Sequence, residues 1–212
     1  MTAVPGSPGS AAPTQAEAVV LLDEDGHAIG TTDKRSVHHA DTPLHLAFSC
    51  YLFDDDDRVL ITRRALHKRT FAGVWTNACC GHPAPGEPLD DAVRRRVRQE
   101  LGLDVEDLRL LLPAFRYVAE QDGIVENEMC PVFAARVVNP EALRPDPEEV
   151  ADACWESWST FRDAVLSGSR EVSTWCREQV RQLPSDPAVA VAATQDALPP
   201  AAQDDSRMGE PR

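Results

Sequence analysis

The chain has 212 residues, 42% hydrophobic and 26% charged, the make-up of an ordinary globular protein with length for one well-cored domain and little for a second. A formal net charge of -14 argues against a general nucleic-acid or anionic-membrane binder, because either needs a broad basic surface, though it allows a small basic pocket for one phosphorylated metabolite. No apolar run approaches membrane-spanning length, and the six cysteines contain no CxxC pair and imply no disulfide scaffold, so a reducing cytoplasm is the simplest setting.

Residues 1–16, rich in Pro, Gly, Ser and Ala, lack the basic and apolar regions of a signal peptide and read as a disordered leader. The stretch 184–212 repeats Ala, Pro and Asp and reads as a disordered tail. The working domain is therefore expected over 17–183. Within it, 18–22 is a short apolar run ending in an acidic turn at 23–26. Residues 44–53 and 59–64 form a predicted hairpin about the acidic turn 54–57. Leu89, Val93, Val97 and Leu101 recur every four residues, which predicts a helix over 88–101 with Gly102 as its stop. Residues 108–118, 128–138 and 155–158 return to strand character. Two closing helices are expected at 159–166 and 173–183, with Ser159 and Ser173 as N-caps and Gly168 ending the first. Strands, a helix, more strands and flanking helices make an α/β domain with a mixed sheet.

Several clusters could do chemistry. Glu126 and Glu128 are two apart in a predicted strand, so both carboxylates point to one face, where they repel unless a cation or proton lies between them. A solvent-facing acidic pair is the plainer alternative, but the apolar continuation 129–135 favours a core strand. His38, His39, His45 and His82 supply imidazoles, and three of them with two carboxylates suit Mn²⁺, Mg²⁺ or Zn²⁺. Cys79 reads as an inert core thiol, whereas Cys80, followed by Gly81-His82-Pro83, is expected in a tight turn and is the better candidate for reactivity. Arg96 and Glu100 share a helix face, as a surface salt bridge or as ligands for phosphate and metal. Arg63, Arg64, Lys68 and Arg69 concentrate positive charge in an acidic protein, as a diphosphate pocket requires.

Gly81-x5-Glu87-x7-Arg95-Arg96-Val97-x-Gln99-Glu100-x-Gly102-Leu103 resembles the Nudix box. It departs from the hydrolases of that superfamily at Arg95-Arg96-Val97-Arg98-Gln99-Glu100, where two of their acids are missing and Glu100 alone remains. His38-x6-His45-Leu46-Ala47-Phe48, Thr62-Arg63-Arg64-Ala65-Leu66, Trp75-Thr76-Asn77-x-x-Cys80-Gly81-His82-Pro83 and Gly123-Ile124-Val125-Glu126-Asn127-Glu128-x-Cys130-Pro131 resemble the type I isopentenyl-diphosphate isomerases. These segments span about 38 to 135, and weaker similarity runs from about 19 to 180.

The resemblance implies a Nudix fold, a mixed sheet sandwiched between helices, and the 1,3-allylic rearrangement of isopentenyl diphosphate to dimethylallyl diphosphate in isoprenoid biosynthesis. It implies a metal site on His38, His45, His82, Glu126 and Glu128, holding Mn²⁺, Mg²⁺ or Zn²⁺. A second, substrate-bridging Mg²⁺ falls on Glu100 with the Cys80 carbonyl, and no flavin is implied. Diphosphate contacts fall on Lys34, Arg64, Lys68 and Arg96. The acid–base pair is Cys80 and Glu128, with Tyr117 beside Glu128, and Trp175 matches an aromatic wall. The implied partner is a small prenyl diphosphate, with no nucleic acid or membrane, and the implied state is a cytoplasmic monomer or weak homodimer. Two other readings stay open here: a Nudix diphosphate hydrolase, which the altered box disfavours, and an inactive metal- or ligand-binding module.

Overall fold

The computed structural model describes residues 17–203. Strand β1 (Ala18–Leu22) forms as expected, and β2 (Ala28–Asp33) folds back on it across Gly26, whose φ of 84° is one that glycine adopts without steric cost. Asp33 caps a single-turn helix α1 (Lys34–Val37), its carboxylate accepting from the Arg35 N–H at 2.7 Å. The run 44–53, expected as one strand, is two: β3 (His45–Leu46) and β4 (Phe48–Phe53). The hairpin to β5 (Arg58–Arg64) forms as expected, followed by β6 (Trp75–Asn77) and β7 (Cys79–Gly81). Helix α2 (Leu89–Leu101) buries the four-residue stripe and ends on Gly102 with φ 68°. Residues 108–118 and 128–138 also divide, into β8 (Val105–Leu112), β9 (Arg116–Gln121), β10 (Ile124–Met129) and β11 (Val132–Val137). Strand β12 (Val150–Ser157) leads into α3 (Trp158–Ser167), and α4 (Thr174–Gln182) closes the domain. Ser157 rather than Ser159 occupies the cap position of α3, while Ser173 caps α4 as expected, accepting from the Cys176 N–H at 3.2 Å.

The three divisions have one cause. Strands β3, β9 and β10 belong to a sheet of order β2-β1-β3-β10-β9. Their continuations β4, β8 and β11 belong to a second sheet of order β12-β5-β4-β11-β8, which also carries β6 on β5 and β7 on β4. Each segment turns the same corner. Pro113 and Pro131 lie at two of the breaks, where a missing N–H cannot join a ladder. The corners bond to each other, Ala47 N–H to Met129 O at 2.9 Å and Cys130 N–H to Phe115 O at 2.8 Å.

Both sheets are mixed, with β3 parallel to β10 and β4 parallel to β11. Strand β4 is buried at every position because the second sheet is covered on both faces. Phe48, Cys50 and Leu52 pack with the stripe of α2, and Tyr51 and Phe53 with Trp158 and Phe161 of α3 and Trp175 of α4. Fully burying each Val or Leu of the α2 stripe contributes about 1.5–3 kcal/mol.

Two expectations are corrected. Residues 184–203 are not a loose tail: Ala188 and Leu198 enter the two cores, the Trp158 indole N–H donates to Ser185 O at 2.8 Å, and Ala193 N–H to Leu110 O at 2.7 Å. Alanine and proline read as low complexity, yet a strap of small residues packs closely along β8. The leader 1–16 and residues 204–212 lie outside the described residues. Cys80 is in strand β7, not a tight turn; Gly81 is needed because a Cβ there would stand 2.9 Å from Arg96 Cγ and 3.0 Å from Phe48 Cζ. No helix among the described residues is long and apolar enough to cross a membrane.

Candidate active site

Strand register assembles the first half of the site. In the sheet, Glu128 of β10 is opposite His45 of β3 on one side and Tyr117 of β9 on the other. The period of two brings Glu126 to the same buried face, as the spacing predicts. Chain leaving α1 delivers His38, and chain leaving β7 delivers His82. The rings of His38, His45 and His82 lie 5.1–5.8 Å apart. Glu128 Oε1 is 3.2 Å from His82 Nε2, 3.3 Å from His45 Nε2 and 3.8 Å from His38 Nε2.

These four side chains offer ligand atoms within 4.8 Å of one another. Glu126 stands outside that quartet and meets Glu128 through Tyr117, whose hydroxyl is 2.9 Å from Glu126 Oε2 and 2.8 Å from Glu128 Oε2. His45 Nδ1 lies 2.9 Å from the Pro43 carbonyl, which can only accept, so Nδ1 carries a proton and Nε2 is the ring atom turned toward the carboxylate. His38 Nε2 and His45 Nε2 are buried without hydrogen-bond partners. Three imidazole nitrogens converging on a carboxylate in a buried place are the donor set of a divalent cation, and the residues fit one.

The charges agree. Burial opposes the Glu128 carboxylate, but three imidazoles hold it well below the usual range. Burial, then the neighbouring Glu128 charge, raises the Glu126 carboxyl. Burial pushes His82 down to about 4, leaving it neutral as a ligand must be.

Across the cavity, Cys80 of β7 is half-buried, and burial pushes its thiol up to about 11 against hydrogen bonds from Ser49 and Asn77. The Trp175 indole packs 5.5 Å from the Tyr117 ring and 5.0 Å edge-on to Phe71, with the Arg64 guanidinium 5.8 Å above it.

The other end is basic. Helix α2 presents Arg96 and Glu100, both buried and ion-paired. Lys68 pairs with Glu149, whose other oxygen is 3.4 Å from the Arg96 guanidinium. Burial raises the Glu100 carboxyl, Arg96 pulling it the other way. Arg64 is held by Thr70, at 3.0 Å to its carbonyl, and Lys34 by Glu17 at 2.5 Å.

One cavity of about 230 Å³ is lined by Cys80, Glu128, Tyr117, Trp175, Lys34, Arg64, Lys68, Arg96, His38, His82, Glu126 and Glu100. His45, wholly buried, lies behind it. Arg69 also lines the cavity, whereas Arg63 turns away to the Gly73 carbonyl, and Cys79 is a core thiol as expected. Glu149 was missed because it ends the acidic, proline-broken stretch 145–149, which reads as solvated loop. Ser49 was missed although a lone polar residue inside the apolar run 48–53 is a usable signal.

Glu87 and Arg95 of the box-like segment face each other as a fork, with two contacts of 2.7 Å, and do not line the cavity. Of that segment's side chains, His82, Arg96 and Glu100 line it.

The family model described as the NUDIX domain matches residues 43–176. The isopentenyl-diphosphate Delta-isomerase of Mycolicibacterium vanbaalenii is 62% identical over 166 residues, covering 78% of this chain and 90% of that protein. The one from Saccharopolyspora erythraea is 54% identical over 190 residues, covering 88% and 97%. A crystal structure of a Deinococcus radiodurans protein superposes with a TM-score of 0.60 at 16% identity, covering 79% of this chain and 99% of that one, a likeness of fold. With the fold, the altered box and this level of identity in hand, the chain belongs to the NUDIX family and, within it, to the isopentenyl-diphosphate Delta-isomerases.

Proposed function

We propose that this protein interconverts isopentenyl and dimethylallyl diphosphate, with Cys80 and Glu128 as its acid–base pair. The observation that carries the reading is that the Cys80 thiol and the Glu128 carboxyl line one cavity together with the cations of Lys34, Arg64, Lys68 and Arg96. An unactivated alkene needs a proton delivered to its terminal methylene, which gives tertiary carbocation character, and a proton removed from the internal methylene. Two acid–base groups with substrate between them suffice. No bond to the diphosphate breaks, and nothing is oxidised or reduced.

Lys34, Arg64, Lys68 and Arg96 bind the diphosphate, fixing the reacting carbons by contacts remote from them. Tyr117 supports the proton on Glu128, being within hydrogen-bond reach of it. Trp175 offers a π face to the developing cation and excludes water.

His38, His45, His82 and Glu128, with Glu126 beside them, would hold Mn²⁺, Mg²⁺ or Zn²⁺, which would fix and tune the Glu128 carboxyl. Glu100 and the Cys80 carbonyl would hold a second Mg²⁺, which would supply charge neutralisation for the diphosphate once Glu100 is released from Arg96. The protein works as a monomer or weak homodimer in the cytoplasm, on a small prenyl diphosphate.

The test is incubation with isopentenyl diphosphate and Mg²⁺, with and without a chelator, following product and free phosphate. Metal-dependent dimethylallyl diphosphate without phosphate release supports the reading, and phosphate release or no turnover by the metal-loaded protein overturns it.

A further inference from the structure

Asn77, within the Trp75–Cys80 segment, has no part in the chemistry above, and neither has Ser49. Both are fully buried beside the Cys80 thiol. Ser49 of β4 is directly opposite Cys80 of β7 in the strand register, with Oγ 3.3 Å from Sγ. Asn77 Oδ1 and Nδ2 are each 3.4 Å from the same sulfur. The thiol therefore has polar partners from two strands.

Each partner is in turn fixed by one face of α4. The Asn77 amide nitrogen donates to the carbonyls of Cys50 at 3.2 Å and Cys79 at 2.9 Å. Its oxygen accepts the Trp175 indole N–H at 3.2 Å. Two acceptors on one side and a donor-only group on the other leave the amide a single orientation. Ser49 Oγ accepts from Gln179 Nε2 at 2.9 Å, and Gln179 Oε1 accepts from the Tyr51 hydroxyl at 3.1 Å, so the Ser49 proton is left for a sulfur. Trp175 and Gln179 are four apart, one above the other on α4.

The geometry points to Asn77 and Ser49 as positioning residues: with Trp175 and Gln179 of α4 as their anchors, they hold the Cys80 sulfur and the Trp175 ring in register across the substrate cavity. This rests on the acid–base reading of Cys80. An acid–base group displaced by a fraction of an ångström from an alkene carbon loses rate while diphosphate binding, carried by remote cations, is untouched. The arrangement also explains an expenditure that folding alone does not require: three polar side chains, Ser49, Asn77 and Gln179, buried between a sheet and a helix where apolar ones would pack.

The experiment measures kcat and KM for isopentenyl diphosphate in the full chain carrying Ser49→Ala or Asn77→Ala, with Cys80→Ala beside them. Rates are referred to binding-competent sites counted by titration with inorganic pyrophosphate, so that an unfolded fraction does not count as slow enzyme. The expected result is a fall in kcat of about 10-fold to 100-fold in each positioning variant, with KM within about twofold of the parent. If Asn77→Ala does not fold, Ser49→Ala, which removes one atom, decides alone. An inactive Cys80→Ala with parental kcat in Ser49→Ala overturns this inference and leaves the acid–base reading standing. A turnover-competent Cys80→Ala overturns the reading itself and the inference with it. A rise in KM equal to the fall in kcat also overturns it, since that is the mark of a deformed pocket.

Discussion

The two ends of the cavity solve opposite electrostatic problems. At the Arg96 end both cavity-lining carboxylates already have a cation: Glu100 pairs with Arg96, and Glu149 with Lys68 and Arg96. At the Glu128 end two carboxylates and three imidazoles converge, with His82 held neutral and the Nε2 atoms of His38 and His45 unpartnered. One end is complete and must exchange partners when a diphosphate arrives. The other is incomplete until a cation arrives. Buried polar groups are costly when unpaired, so a divalent cation would stabilise the second arrangement, whereas the first pairs its charges within the chain.

The sharpest way to break this comparison is to remove the reacting groups. Cys80→Ala and Glu128→Gln are each expected to lower kcat by about 1,000-fold. Glu128→Gln alone should also weaken metal binding, measured by calorimetric titration of the metal-free protein, because only Glu128 belongs to the incomplete end. Next, stripping the metal should abolish turnover. Adding a divalent ion back should raise the thermal midpoint with the logarithm of free ion concentration above Kd, an increase that His45→Ala loses and Lys68→Met keeps. Lys68→Met acts at the complete end: KM should rise about 10-fold with kcat nearly unchanged, since its ammonium contributes to ground state and transition state alike.

Much of both ends was legible in the chain because the chemistry demands residue types that rarely serve elsewhere. Histidines at 38, 45 and 82 and carboxylates at 126 and 128 cannot be explained by core packing. The spacing of the two carboxylates stated that they share a face, and the apolar continuation 129–135 that the face is buried. The helix bearing Arg96 and Glu100 was legible for a simpler reason, an apolar stripe of four-residue period. What hid from the sequence was the corner. Ala47 and Cys130 are small and apolar, so hydrophobicity runs on through them, and periodicity cannot report that the chain has passed into another sheet. Glu149 hid because a residue that pairs across 81 positions with Lys68 leaves no local trace.

The smallest predicted effect concerns the brace between the two ends. Glu87 and Arg95 resemble box residues, yet they face each other as a bidentate fork, with Nε to Oε1 and a second guanidinium nitrogen to Oε2 both at 2.7 Å. Glu87 Oε2 also accepts the Ala84 N–H at 2.8 Å, and Arg95 reaches the His82 carbonyl at 3.3 Å. The fork therefore ties the segment that carries His82 to the helix that carries Arg96 and Glu100. Its hydrogen bonds to Arg95 hold the Glu87 carboxyl below its ordinary value. A group depressed in the folded state stabilises above its unfolded pKa, and that contribution is lost as pH falls through the folded one. Both partners are partly exposed, so Glu87→Gln should cost only about 0.5–1 kcal/mol at pH 7. The gap between parent and variant, read from urea unfolding, should close as the pH falls below the carboxylate range. If the gap persists in acid, the fork is held by packing rather than charge, and the two ends are joined by shape alone.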